Sequence, residues 1–136
     1  MFDRAEARID LDRITANIQH LKNVSQTQVM AVVKADAYGH GLVSVARAAL
    51  DAGATSLGVA LLEEAITLRK AGITAPILAW LVPPGSDYQL AVDNEIELAA
   101  SSIKALEEIG AVKSNNRPRV HLEVDTGMTR GGFLIE

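Results

Sequence analysis

Apolar residues along this chain fall into two kinds of stretch, and the two alternate. The first kind reads as strand: Val29-Met30-Ala31-Val32-Val33, a continuous apolar run as a strand buried on both faces should be, then residues 57–60, Pro76-Ile77-Leu78-Ala79-Trp80, residues 96–99 and residues 119–124. Between them apolar residues recur at helical spacing, through Ile14, Ile18 and Leu21, through Val43, Ala46, Ala49 and Leu50, over 62–71, briefly over 88–92, and through Ile103, Leu106 and Ile109. The punctuation agrees with this division. Asp12 is placed to cap the first helix and Ser101 or Ser102 the last, and Gly53, Gly72 and Gly110 mark helix ends. Pro83-Pro84-Gly85 breaks the chain after the third strand, and residues 9–11 read as a short extended stretch before the first helix.

Strand and helix repeat about every 20 to 27 residues, the βαβα order that gives a parallel sheet. A flavodoxin-like open sheet closes within 136 residues. A complete (β/α)₈ barrel does not, since it takes roughly 250 residues. The chain stops just after a strand and its loop, which leads to the expectation that it is part of a larger protein.

Composition narrows the picture without changing it. The aromatic residues are few, namely Phe2, Tyr38, Trp80, Tyr88 and Phe133, so the core is aliphatic and suits helices on a parallel sheet better than a β-sandwich. Net charge is −4 and the basic residues are scattered, so no basic stripe marks a nucleic-acid binder. The longest apolar run, residues 76–84, is too short to span a bilayer and contains prolines. The start, Met1-Phe2-Asp3-Arg4-Ala5-Glu6, is charged from its third residue and does not read as a signal peptide. With no cysteine, disulfides and thiol catalysis are excluded. A cytoplasmic protein acting on a small molecule, away from membranes, is the expectation.

Two clusters carry candidate chemistry. In Val32-Val33-Lys34-Ala35-Asp36-Ala37-Tyr38-Gly39-His40-Gly41, Lys34 comes directly after a buried strand, at the C-terminal end, where α/β proteins place their active sites. Partial desolvation there eases deprotonation of the amine and favours Schiff-base chemistry. The Tyr38 hydroxyl, expected near the start of the next helix, is placed to bond a phosphate, and Gly39 and Gly41 leave room for close approach. Taken alone, such a lysine is more often a solvated strand end, and His40 more often a helix-start residue. The second cluster, Val120-His121-Leu122-Glu123-Val124-Asp125-Thr126-Gly127-Met128-Thr129-Arg130-Gly131-Gly132, lies at another strand end and so on the same edge of the sheet. It offers a carboxylate strand, a glycine turn and an arginine whose fork binds a carboxylate or oxyanion. Alone it reads equally as a turn with a surface Glu–Arg pair.

Together the two clusters are more specific. The run from Ala31 to Gly41 closely resembles the pyridoxal-phosphate attachment signature of alanine racemases, with Asp36 where many members have Asn. The stretch Asp125-Thr126-Gly127-Met128 followed by Arg130 is similar to the family's second recurrent motif, in the family's order. The resemblance extends to the opening Ala7-Arg8-Ile9-Asp10-Leu11-Asp12. It implies an α/β fold: a partial (β/α)₈ TIM-type barrel with parallel strands, about the first five βα units, without the C-terminal β-domain, which residues 6–12 would join as an extended segment.

The same resemblance implies pyridoxal 5′-phosphate as cofactor, no metal ion, alanine as substrate, and a homodimer whose sites draw on both subunits. Lys34 matches the lysine that carries the cofactor and serves as one of two catalytic bases; the other is a tyrosine beyond Glu136. Tyr38 matches a phosphate contact, and Arg130 an arginine that bonds the cofactor's phenolic oxygen and the substrate carboxylate. Trp80 falls where many members have an aliphatic residue lining the pocket. Glu123 stands where many members have a carbamylated lysine, so its carboxylate is expected to orient Arg130 without carbon dioxide. D-alanine supply for bacterial peptidoglycan is the implied role, and the 136-residue piece alone is expected to be inactive. The rival readings are a broad-specificity amino-acid racemase, a non-catalytic pyridoxal-phosphate-binding barrel, and a doubly wound domain with no cofactor.

Overall fold

The structure, a computed structural model, describes residues 5–134; the first four residues, on which the signal-peptide expectation leans, and the last two lie outside it. In chain order the elements are α1 (Leu11–Ser25), β1 (Met30–Val32), α2 (Lys34–Gly39), α3 (Leu42–Asp51), β2 (Ser56–Val59), α4 (Leu62–Lys70) and β3 (Ile77–Ala79). They continue with α5 (Tyr88–Asp93), β4 (Ile96–Ala100), α6 (Ile103–Gly110), β5 (Val120–Leu122), β6 (Val124–Asp125) and β7 (Phe133–Leu134).

Local chemistry explains most of the boundaries. The first helix starts earlier than Asp12 would place it. Asp10 is the cap, accepting from the Arg13 N–H at 3.2 Å and pairing with its Nε at 3.0 Å, while Asp12 falls in the first turn beside the positive end of the helix dipole. Leu11 and Asp12 are therefore helical, and the extended segment expected over 6–12 ends at Asp10. Ser102 rather than Ser101 caps α6, accepting from Ala105 N–H at 3.2 Å. In α4 the first turn is acidic and the last basic, matching the dipole at both ends, and Gly72 comes after it with φ of +84°.

The sheet decides between the two α/β architectures. Strands β1 to β5 pair in sequential order and every pairing is parallel. A flavodoxin-like sheet reverses direction at a switch point and carries helices on both faces; this one never reverses. Side chains alternate accordingly: Leu57, Val59, Ile77, Ala79, Leu98 and Ala100 are fully buried against the helices, which present Ala46, Ala49, Ala65, Leu68 and Ala91. Small alanines let the helices close on the sheet, which is how so few aromatics suffice.

The opposite face has no helical layer. Val32 is 54% exposed and Met30 38%, so β1 is not the strand buried on both sides that its apolar run predicts. Over β2, Met30 and Trp80 fill the space left by Gly58, where an added Cβ would meet Trp80 Cζ3 at 2.7 Å and Met30 Sδ at 3.1 Å. This face is the concave wall of an incomplete barrel. At the opposite end from the strand C-termini, the Arg69 guanidinium donates to the carbonyls of Ile73, Ala75, Asn94 and Glu95, locking the α4–β3 and α5–β4 connections. Desolvation lowers its pKa, and Glu95 and Glu97 partly restore it. Among the described residues no helix is long and apolar enough to cross a membrane.

Candidate cofactor and active site

Lys34 follows the end of β1 with one residue between, and the segment from it to Gly39 winds left-handed. Ala35, Asp36, Ala37 and Tyr38 all lie at φ between 49° and 54°, one full turn of left-handed helix. For L-residues this conformation costs about 1–2 kcal/mol each, so the turn is held by its surroundings rather than by propensity. The Ala37 N–H donates to Val33 O at 2.9 Å and the Gly41 N–H to Asp36 O at 3.0 Å. The Asp36 carboxylate accepts from the Leu42 N–H at 2.6 Å, at the start of α3, and the Ala35 N–H donates to Glu64 Oε1 at 2.5 Å. His40 is not a base poised over the site: its Nδ1 lies 2.9 Å from Ala37 O and closes the turn.

The winding brings two of the candidate residues together. Lys34 Nζ lies 4.9 Å from the centroid of the Tyr38 ring, and Tyr38 is 71% exposed. Tyr38 belongs to the left-handed turn, four residues before the right-handed α3 begins. No ion pair among the described residues engages Lys34, and no hydrogen bond among them uses the Tyr38 hydroxyl. A lone amine beside an unused phenol, at the C-terminal edge of a parallel sheet, fits a phosphorylated aldehyde: one group to condense with the carbonyl, the other to meet the phosphate.

The second cluster folds back on itself. The strand predicted over 119–124 divides at Glu123, whose carbonyl accepts from the Phe133 N–H at 2.8 Å and so starts the β6–β7 pairing. Asp125 organises the loop between them, accepting from the Gly127 N–H at 2.9 Å and the Thr129 N–H at 3.0 Å. Those bonds, Thr129 first, hold its carboxyl below the usual aspartate range. Arg130 is exposed. Among the described residues no ion pair within 4.0 Å joins Glu123 to Arg130. The Glu123 carboxylate instead lies beside Gly131, where an added Cβ would stand 3.8 Å from Oε1.

The sequence profile of the alanine racemase N-terminal domain matches residues 9–136. The chain belongs to this family. The alanine racemase of Thermobifida fusca is 54% identical over 132 residues, covering 95% of this chain and 35% of that protein. The crystal structure of alanine racemase from Corynebacterium glutamicum superposes with a TM-score of 0.89 at 37% identity, covering 94% of this chain and 37% of that one. Histidine racemase from Leuconostoc mesenteroides superposes with a TM-score of 0.80 at 37% identity, covering 90% of this chain and 34% of the other. The chain thus spans about a third of the length of the relatives it matches.

As an alanine racemase N-terminal domain, the chain has a barrel wall whose concave side carries polar groups that sequence reasoning passed over. Glu97 is 6% exposed in the middle of β4, with Arg119 Nη2 2.8 Å from Oε1 and His121 Nε2 2.8 Å from Oε2. A glutamate between Ile96 and Leu98 was legible only as a break in an apolar run. Glu64 was missed as well. It accepts from the N–H of Leu61 as the glutamate of a capping box does, but with a leucine at the cap no Ser/Thr-x-x-Glu pattern marks it, and its partner 29 residues away was not legible either.

Proposed function

We propose that the full protein is a pyridoxal-phosphate-dependent racemase that interconverts L-alanine and D-alanine. The observation that carries this is Lys34: an amine with no ion-pair partner among the described residues, set by a strained left-handed turn at the C-terminal strand edge and packed against Tyr38. When bound, the cofactor withdraws electrons from the substrate's α-carbon and makes its hydrogen acidic. Lys34 would hold it through Nζ and, once the substrate amine has displaced it, would take or return a proton at the α-carbon. Tyr38 would donate its hydroxyl to the phosphate. Arg130 would bond the phenolic oxygen and the substrate carboxylate, with Glu123 orienting it. The family membership and the named relatives support the racemase reading, and a homodimer in the cytoplasm supplying D-alanine for peptidoglycan completes the proposal.

The experiment is an assay of the full gene product loaded with pyridoxal phosphate, against its Lys34→Ala variant. Formation of D-alanine from L-alanine by the first and loss of at least roughly a thousandfold in the second is the expected result; equal rates would sink the proposal. A second reading, a racemase of broader or different amino-acid specificity, is favoured by one observation: the fold match to a histidine racemase at 37% identity. Running L-histidine and other L-amino acids beside L-alanine separates the two by kcat/KM.

A further inference from the structure

Glu64 stands where two consecutive βα junctions meet. It lies in the first turn of α4, and its Oε2 accepts from the N–H groups of Ala60 at 3.0 Å and Leu61 at 2.9 Å, as a glutamate at that point of a helix ordinarily does. Its other oxygen leaves that helix. Oε1 accepts at 2.5 Å from the N–H of Ala35, the residue immediately after Lys34. The remaining hydrogen bonds that hold the left-handed turn are local, running among residues 33–42. Just before the turn, the Val33 N–H donates to Gly58 O of β2 at 2.9 Å. Within the left-handed residues 35–38, among the described residues, the Ala35–Glu64 bond is the one hydrogen bond to a neighbouring βα unit, and none of the ion pairs there engages Glu64.

We propose that Glu64 is a positioning residue for Lys34: by anchoring the first peptide of the left-handed turn, it sets the direction in which the ε-amine and the Tyr38 ring leave the barrel wall. This rests on the reading of Lys34 as the cofactor lysine and adds a role that neither motif carries. The chemistry asks for a carboxylate. Three donors converge on one side chain, two on Oε2 and one on Oε1. An amide of the same size has one acceptor, which satisfies more donors by facing Ala60 and Leu61. Its NH₂ then meets the Ala35 N–H, donor against donor. Glu64→Gln therefore cuts the link to the lysine turn and leaves the start of α4 in place. Glu64→Asp, one methylene shorter, keeps the charge and withdraws it from Ala35.

The test compares the full gene product with Glu64→Gln, Glu64→Asp and the control Glu63→Gln, whose side chain is exposed on the same helix turn. The first readout is hydrogen exchange of the 33–41 segment in the cofactor-free protein. Both Glu64 variants are expected to exchange there roughly tenfold faster, the loss of one charge-assisted hydrogen bond, with the control unchanged. The second is kcat for racemisation per mole of bound pyridoxal phosphate, expected to fall roughly tenfold with KM little changed. Unchanged exchange in both variants would overturn the proposal. So would faster exchange with full kcat per bound cofactor, which would make Glu64 a structural brace only. If the unsubstituted protein takes up no cofactor at Lys34, the enzyme reading fails by itself, and the role toward Lys34 fails with it. The exchange data would still report whether Glu64 anchors the turn.

Discussion

At the scale of single residues, the site depends on groups held in conformations they do not prefer. Lys34 has its geometry because four residues after it accept a left-handed backbone. Only Asp36 among them belongs to a type that tolerates this conformation. That is why the residues of the motif were legible in the sequence and their shape was not: the bonds that impose the shape run from Asp36 to Leu42 and from Ala35 to Glu64, beyond any local pattern. Glu123 was legible in identity but not in partner. Its carboxylate sits next to Gly131 rather than in an ion pair with Arg130, one residue away from the arginine it is proposed to orient. Replacing Glu123 with Gln is expected to lower kcat/KM by about tenfold, the worth of one charge-assisted hydrogen bond. Steady-state kinetics on the full gene product check this, and unchanged kinetics would remove Glu123 from the site.

At the scale of elements, the apolar runs located all five strands of the large sheet, and the Gly and Pro punctuation set most helix ends. What the runs misjudged was burial. The continuous apolar run of β1 implied two covered faces, but its exposed Met30 and Val32 lie on the side without helices, whereas every residue of β4 is buried. The β6–β7 pair was not legible, because its strands are two residues each and are held by a carboxylate turn rather than by a hydrophobic pattern. Gly132 makes that return possible. Its φ is +107°, and an added Cβ would stand 2.8 Å from Asp125 N and 3.0 Å from Glu123 O, both backbone atoms that have no room to yield. Gly132→Ala is expected to open the β6–β7 pair and displace the Arg130 loop while leaving the five-stranded sheet intact. Amide exchange would show faster exchange confined to residues 123–134; unchanged protection there would mean that the pair tolerates a side chain at this position.

At the scale of the whole molecule, the sequential parallel order matters more than any single strand, because it makes the sheet a barrel wall with one covered and one open face. It also places Lys34 and the Arg130 loop after the C-terminal ends of parallel strands, the two outermost, β1 and β5. The packing between the outer helices carries a pH dependence. Tyr88 is 4% exposed, with its hydroxyl donating to Val82 O at 3.1 Å, and burial first, then the Glu108 charge, raises its pKa above the ordinary phenol value. A raised pKa means a contribution fully present below the unfolded value near 10 and lost as pH rises through the folded one. The melting temperature is therefore expected to fall above about pH 10, and to fall less steeply in Tyr88→Phe. Parallel slopes for the two proteins would show that the buried phenol does not set this loss.

The assignment of Lys34 as the residue that carries the cofactor underlies every role proposed for its neighbours. Its most direct test is to add pyridoxal phosphate to the full gene product, reduce with borohydride, digest, and locate the added mass. A single pyridoxyl adduct on the peptide containing Lys34, absent from Lys34→Ala, is the expected result. A folded full-length protein that yields no adduct there, or carries it on another lysine, would refute the assignment.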